Sequence, residues 1–521
     1  MCRRSAAVVL YRRTAAEDGS PADLEVYLVQ RSPRLRFYGG YYAFPGGVVD
    51  EEDGGLPLAG EVPSVSSTVE RDIAACALRE LFEETGVLLA ARRDGGEAPG
   101  SETVEPADAT VAALRRELVA SSSPEVLERF LAGRSLALRA GALRYLTRFV
   151  TPVFSPLRYD TTFFLAGIAG GEGEPEIVEG ELVAGRWWAP ASALDAWNRG
   201  ELPISPPVVV ILEELAARPL DEAARELAAL PADFEGSGRS IPCAPGYEVL
   251  PLHTPPLPPS IPCNAFLVGC RRFVVIDPGP SGDGGRDHLI AAIQRRVDRG
   301  DRLEAIVLTH HHPDHVGALA SVRERFPAPV WAHPRTGELL SLELDRRLED
   351  GDLIDLGPGP DGRASWAIEA LFTPGHARGH LAFHDPRHRS LVAGDLISTL
   401  VSMYVGYPGG DLRHYLRSLE RVRELPLDVI YPAHGAPGHE VGRLIDQTVQ
   451  HRQERIEEVH GALGDAPRSG EEIAGEVYAA MNSRLKQLTV RTSRAALRYL
   501  AEEGRAREVA EDSFVRGDAG G

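Results

Sequence analysis

Residues 308–317 read LTHHHPDHVG, four histidines and one aspartate in a single short stretch. The apolar run before it, within LEAIVLT, has the composition of a buried strand. The histidines therefore stand where a strand gives way to a loop. His310 and His312 alternate, so their side chains point the same way. Asp314 and His315 follow in the same loop. A solvated polar turn needs no such set, whereas imidazoles beside a carboxylate are ligands of the zinc type. Three more donors stand at strand ends further on. They are His376 closing IEALFTPGH, Asp395 in SLVAGDLI and His434 in VIYPAHG. An earlier run, FVVIDPG, ends at Asp277, an acid suited to orienting a ligand histidine through its second nitrogen.

The rest of the chain frames this pattern. Its 521 residues exceed what one core accommodates. Hydrophobic residues make up 43% and charged residues 25%, as in ordinary globular proteins. With 76 acidic against 56 basic residues, the net charge is −20. That excludes broad coating of polynucleotides, although a local basic patch is compatible with it. Five cysteines without a CxxC pair argue against a disulfide framework and for a reducing, cytoplasmic setting. The opening MCRRSAAVVLYRR reads as a first strand, since its apolar run is too short for a signal sequence. No apolar run is long enough to span a membrane. Breaks in composition divide the chain into residues 1–216, a linker at 217–240, residues 241–445 and a helical tail at 446–521. Residues 92–110 read as a surface excursion within the first part. Apolar runs alternate with helical stretches in both halves, which predicts α/β and α+β layering.

In the first part, SSTVERDIAACALRELFEETGVLL (66–89) predicts an amphipathic helix. Ser67 and Glu70 have the spacing of a capping box, and Gly86 is a natural stop. Ile73, Ala77 and Leu81 form the apolar stripe. Glu80, Glu83 and Glu84 share the opposite face. Adjacent carboxylates repel one another, so this face is either solvated or gathered around a hard cation such as Mg²⁺ or Mn²⁺.

RELFEETGV (79–87), preceded by FPGG (44–47), resembles the box of the Nudix hydrolases, over roughly residues 1–215. The resemblance implies an αβα sandwich in which Glu80, Glu83, Glu84 and the Gly47 carbonyl bind divalent cations. It also implies that Arg79 orients a glutamate and that activated water attacks a diphosphate. Gly47 and Arg79 stand 32 positions apart, roughly 18 more than in the usual box. Arg71 occupies the position of the box's first glutamate, with Glu70 beside it as a stand-in. Glu179 or Glu181 is expected to supply a further acid, Glu181 being the preferred one. Arg31, Ser32, Arg36, Gly40 and Phe44 have the spacing of the coenzyme A diphosphatase branch. On that resemblance Arg31, Arg34 and Arg36 would hold phosphates, with coenzyme A or an acyl-coenzyme A as substrate. Solvation of a loop is the other reading of these arginines.

Residues 241–445 resemble the metallo-β-lactamase fold, an αββα sandwich. That resemblance assigns His310, His312 and His376 to one zinc and Asp314, His315 and His434 to another, with Asp395 bridging. A hydroxide between two Zn²⁺ ions would be the nucleophile. NAFLVG, TPGHARGH and YPAHG resemble the endoribonuclease branch, with Arg378 as a substrate-binding residue. VRTSRAALRYLAEEGRAREV resembles the helix and wing of a small winged-helix domain. Its arginines suit either phosphate contacts or a solvated face. Three readings follow. One is a bifunctional hydrolase cleaving a diphosphate and a thioester or phosphodiester. Another is a dizinc endoribonuclease acting on single-stranded RNA, with an unrelated Nudix activity. The third is a Nudix ligand sensor with a nucleic-acid-binding tail.

Overall fold

Strand Arg272–Ile276 shows how the second half is layered. Its alternation sends Val274 and Ile276 into one core and Phe273 and Val275 into another. The computed structural model describes residues 2–14, 23–35, 38–63, 70–93, 109–121, 123–155, 157–168, 174–178, 180–231, 239–253, 262–279, 281–363, 365–481 and 485–517. They form two compact units, Met1–Ser237 and Gly238–Gly521.

In the first unit, strand Arg3–Thr14 runs parallel to Tyr159–Gly167 and antiparallel to Asp23–Arg31. Leu182–Trp188 and Arg144–Val150 extend the two sides of this sheet. Helix Arg71–Thr85 lays Ala74, Leu78 and Leu81 against Val8, Leu10 and Val29. The helix opens later than expected. Its N-cap is Glu70, which makes no side-chain cap and instead meets Arg4 at 2.6 Å. Ser67 lies outside the described residues. Gly86 ends the helix in the left-handed conformation, as expected.

Part of the stretch read as a linker, 217–240, is helical. Leu220–Ala228 buries Leu220, Ala223, Ala224 and Leu227 within the first unit.

The second unit stacks two sheets. One has seven strands, from Ile241–Ala244 to Arg346–Arg347, and the other has five, from Leu353–Pro358 to Val429–Pro432. Tyr247, Phe266, Trp366, Ile368 and Tyr431 fill the space between them. Helix Asp283–Asp298 covers the outer face of the first sheet, and Leu412–Arg423 and Val441–Gly461 cover that of the second. The result is an αββα order of layers. The boundary read at 445/446 falls inside helix Val441–Gly461. Ile473, Leu497, Leu500 and Phe514 from the tail share one core with Leu419 and Ile456. The tail consists of helices Gly470–Val477 and Lys486–Glu502 with a three-stranded sheet. No helix among the described residues is long and apolar enough to cross a membrane.

One glycine fixes the approach of a loop to its neighbouring helix. Gly375 has φ +140°, and a Cβ there would stand 2.3 Å from the Tyr415 Cα. Gly375→Ala is expected to destabilise the second unit by about 1–3 kcal/mol. A denaturant titration would show a lowered midpoint, and an unchanged one would refute the close contact.

Candidate metal centres

Strand Arg302–Val307, paired on both sides, delivers the histidine loop at its carboxyl end, and Pro313–Val316 forms a single helical turn. His310 Nε2 and His376 Nε2 each lie 2.9 Å from His312 Nδ1. The proton positions follow from the surrounding hydrogen bonds. Thr309 Oγ1 donates to Asp277 Oδ2, so it accepts from His310 Nδ1 at 2.9 Å. His376 Nδ1 donates to the Tyr404 carbonyl at 2.6 Å. Both Nε2 atoms therefore present lone pairs to His312 Nδ1, which can answer only one with a proton. A cation among the three resolves the conflict. Burial, reinforced by the neighbouring imidazoles, holds His310 well below the ordinary histidine range. Burial first, then His376, brings His312 down to about 3. These are neutral donors.

A second group lies beside the first. His315 Nε2 and His434 Nε2 are each 3.4 Å from Asp395 Oδ1. They lie 3.7 and 3.4 Å from Asp314 Oδ2. Here too the far nitrogens are tied down. His315 Nδ1 donates to Asp277 Oδ2 at 2.7 Å, and His434 Nδ1 to the Pro262 carbonyl at 3.2 Å. Burial opposes the charged form of His315, but Cys263, Asp314, Asp395 and Asp277 outweigh it and raise the pKa well above the ordinary value. Burial likewise opposes ionisation of Asp395, yet His434, His315 and His376 pull it well below the carboxylate range. Asp314 falls to about 2, with His315 and His434 overcoming the effect of burial.

Two groups of donor atoms result, each with all members within 4.8 Å of one another. They are His310, His312, His376 and Asp395, and Cys263, Asp314, His315 and His434. Asp395 Oδ1 is buried without a hydrogen-bond partner among the described residues. An orphaned carboxylate oxygen facing the Nε2 atoms of His315 and His434 fits divalent ions.

Some participants had not been assigned from sequence. His380 is fully buried, and its Nε2 accepts from the Asp395 backbone N–H at 3.0 Å. Its Nδ1 therefore carries the proton and lies 2.9 Å from Thr373 Oγ1. Burial, then His376, takes its pKa to about 3, consistent with that neutral form. The second histidine of TPGHARGH was the available signal. Arg378, expected to bind substrate, is exposed and donates to the Pro408 carbonyl at 2.9 Å. His311 is half-buried beside the cluster, with its Nδ1 unpartnered among the described residues.

In the first unit the carboxylates gather where helix Arg71–Thr85 meets strand Gly46–Val48. Glu84 Oε2 accepts from the Gly46 N–H at 2.8 Å. A Cβ on Gly47 would stand 2.3 Å from Glu80 Oε1, so a larger residue there would displace that carboxylate. Burial raises Glu80 to about 7, offset in part by Arg79. Burial, then the charge of Glu80, raises Glu84 well above the usual range. Glu83 is raised mainly by burial and also by Glu181, which is exposed. Arg31 is close enough to counter Glu84 electrostatically, and its Nε is buried without a partner among the described residues. Arg34 is exposed. Arg36 and Glu179 lie outside the described residues.

Arg79 is almost fully buried and reaches Glu80 at 2.7 Å and Glu83 at 3.4 Å. Its other edge is held by Asp53, with Nε–Oδ1 at 2.6 Å and Nη2–Oδ2 at 3.0 Å. Asp53 is wholly buried in the short 3₁₀ turn Glu51–Gly55. Glu70, the expected stand-in, faces Arg4 instead. The long spacing before Arg79 had concealed Asp53, and an acid soon after FPGG was the only clue.

Comparison with known proteins separates the same two parts. Residues 259–434 match the metallo-beta-lactamase superfamily. Residues 57–215 match the NUDT19 Nudix domain, and residues 1–99 the NUDIX domain. A hydroxyacylglutathione hydrolase of Bdellovibrio bacteriovorus is 31% identical over 165 residues, 32% of this chain and 59% of the relative. The chain thus aligns with little more than half of that relative's length. A beta-lactamase-like protein 2 homolog of Caenorhabditis elegans is 24% identical, over 46% of this chain and 79% of the relative. A solved NUDIX hydrolase from Alicyclobacillus acidocaldarius is 30% identical with a TM-score of 0.37, covering 44% of this chain and 99% of that one. The chain carries a Nudix domain and a metallo-β-lactamase domain.

Two outcomes follow. Asp53→Ala strips the buried Arg79 of its best partner and is expected to cost about 3 kcal/mol, seen as a lower unfolding midpoint. A midpoint equal to that of the parent chain would show that Glu80 and Glu83 suffice. Asp277→Ala frees the imidazole of His315 and the Thr309 turn. Divalent-ion affinity, measured by chelator competition, should weaken about 10–100-fold. Undiminished affinity would rule out the orienting role.

Proposed function

We propose that the chain is a hydrolase with two separate metal-dependent sites. The carrying observation is the meeting of the His310 and His376 lone pairs on His312, beside the orphaned oxygen of Asp395. In this reading His310, His312 and His376 hold one Zn²⁺, Asp314, His315 and His434 hold the other, and Asp395 bridges them. Glu80, Glu83, Glu84 and the Gly47 carbonyl hold Mg²⁺ or Mn²⁺ in the Nudix domain. When bound, such ions supply Lewis acidity and lower the pKa of water. The chain's own contribution is orientation. Asp277, Thr309, Tyr404 and Pro262 fix the imidazoles, and His380 fixes the backbone at Asp395. Glu80, Glu83 and Glu84 are the catalytic carboxylates of the Nudix site, with Glu181 a further acid at its rim, and Asp314 serves the second site.

A thioester is the substrate class favoured for the second site, because a hydroxyacylglutathione hydrolase is among the relatives. For the Nudix site we favour a nucleoside diphosphate derivative of the coenzyme A type. Arg31 supports that choice through its unpartnered Nε near Glu84. Acyl-coenzyme A carries both bonds. The RNA reading draws less support, since the tail's cations are largely engaged. Arg494 meets Asp512 at 2.8 and 2.6 Å, Lys486 meets Glu471 at 2.9 Å, and Arg505 meets Glu457 at 2.8 and 2.7 Å. A winged-helix identity of the tail, whose sheet and helices are described above, belongs to this proposal as well.

The purified chain can be assayed in parallel with acyl-coenzyme A, coenzyme A and single-stranded RNA. Glu83→Gln is expected to reduce diphosphate cleavage by about 100-fold or more and leave thioester cleavage intact, and His312→Ala to do the reverse. RNA cleavage lost in His312→Ala, with no thioester cleavage by the parent, would overturn the substrate assignment.

A further inference from the structure

The second donor group contains a residue that neither the motif nor the assignment above uses. Cys263 begins strand Cys263–Gly269 and is fully buried. Its Sγ lies 4.0 Å from His315 Nε2, and it lies within 4.8 Å of the donor atoms of Asp314 and His434. Around a tetrahedral zinc, a sulfur at about 2.3 Å and a nitrogen at about 2.0 Å sit roughly 3.5 Å apart, and farther apart as the angle opens. The observed separation is close to that of two ligands to one ion and is long for a hydrogen bond.

The position of the thiol is well fixed. The Pro262 carbonyl on one side accepts from His434 Nδ1. Asn264 on the other side donates from Nδ2 to the carbonyls of Pro432 and Gly435, at 2.9 and 2.8 Å. Its backbone N–H donates to Ala433 at 2.7 Å. The strand that carries Cys263 is thereby stapled to the loop that carries His434. An independent sign of a cation here is Asp395 Oδ1, buried, unpartnered and 3.4 Å from the Nε2 atoms of His315 and His434. Since His315 Nδ1 donates to Asp277, its Nε2 faces the thiol and both carboxylates.

The geometry points to Cys263 as a thiolate ligand of the second metal. This inference rests on the two-metal reading above and deepens it. On metal binding the thiol releases its proton to solvent, and the sulfur lone pair forms the new bond. The second site then differs in kind from the first, which has imidazoles and a carboxylate only. A thiolate makes it softer and shifts its preference from Mn²⁺ or Mg²⁺ towards Zn²⁺ or Co²⁺.

Spectroscopy of the cobalt-loaded full chain reads this directly. Chelator-treated protein reloaded with Co²⁺ is expected to show visible d–d absorption together with a near-ultraviolet sulfur-to-cobalt charge-transfer band. Cys263→Ser should abolish the charge-transfer band and keep the d–d absorption, and Cys270→Ser should keep both. X-ray absorption of the zinc-loaded parent chain, which needs no variant, should reveal a sulfur neighbour of zinc. Visible bands with no charge-transfer band, or one that survives Cys263→Ser, would overturn the thiolate and leave the histidine site standing. Failure to take up cobalt at all would overturn both.

Discussion

Three imidazole nitrogens cannot share one point in space without something positive between them. At His310, His312 and His376 the chain brings them to contact distance, and the hydrogen bonds behind them leave too few protons to go round. Removing an ionisable group from water costs several kcal/mol, and a buried polar atom left unpaired costs more than an ordinary hydrogen bond returns. Much of the second unit serves this arrangement. Two stacked sheets supply rigid strand ends: four donors follow strand Arg302–Val307, and His376, Asp395 and His434 each follow a strand of the second sheet. Asp277 is the clearest case. It adopts a positive φ of 54° at the end of its strand, where a non-glycine residue is strained. It then accepts from the Thr309 N–H, the Thr309 hydroxyl and His315.

The first unit meets the same electrostatic requirement with different chemistry. Here the donors are carboxylates on one helix, so repulsion takes the place of competing lone pairs. Arg79 relieves part of it, and Asp53 keeps Arg79 from swinging away. Burial first, and neighbouring carboxylates after it, raise Glu80, Glu83 and Glu84, while Arg79 pulls the first two back down. A hard divalent ion completes such a set. The two units thus present hard oxygen donors in one place and mainly imidazoles in another.

What could be read in the sequence follows from how local each feature is. His310, His312, Asp314 and His315 lie in one loop, so their proximity is guaranteed by chain connectivity. His376, Asp395 and His434 each follow an apolar strand, and strand ends of stacked sheets converge. The glutamates of helix Arg71–Thr85 share a face by helical period alone. Other features depend on contacts distant in sequence. Cys263 meets His315 only because its strand lies beside the histidine loop, with Asn264 bonded across to residues 432–435. Asp53 replaced an expected Glu70 because the chain between Gly47 and Arg79 is longer than the motif, which moved the acid to an unforeseen turn. The limits of the tail were misplaced for a similar reason. The change in composition near residue 446 is real, but Leu497 and Phe514 join a core built by earlier helices.

In this reading, buried donor atoms of the second unit are organised around metal ions. Elemental analysis of the purified full chain, dialysed free of loosely held ions, tests it most directly. Two transition-metal ions per chain are expected, one for each donor group, with a reduced count in Asp395→Asn. Fully folded protein that retains no stoichiometric transition metal would contradict it.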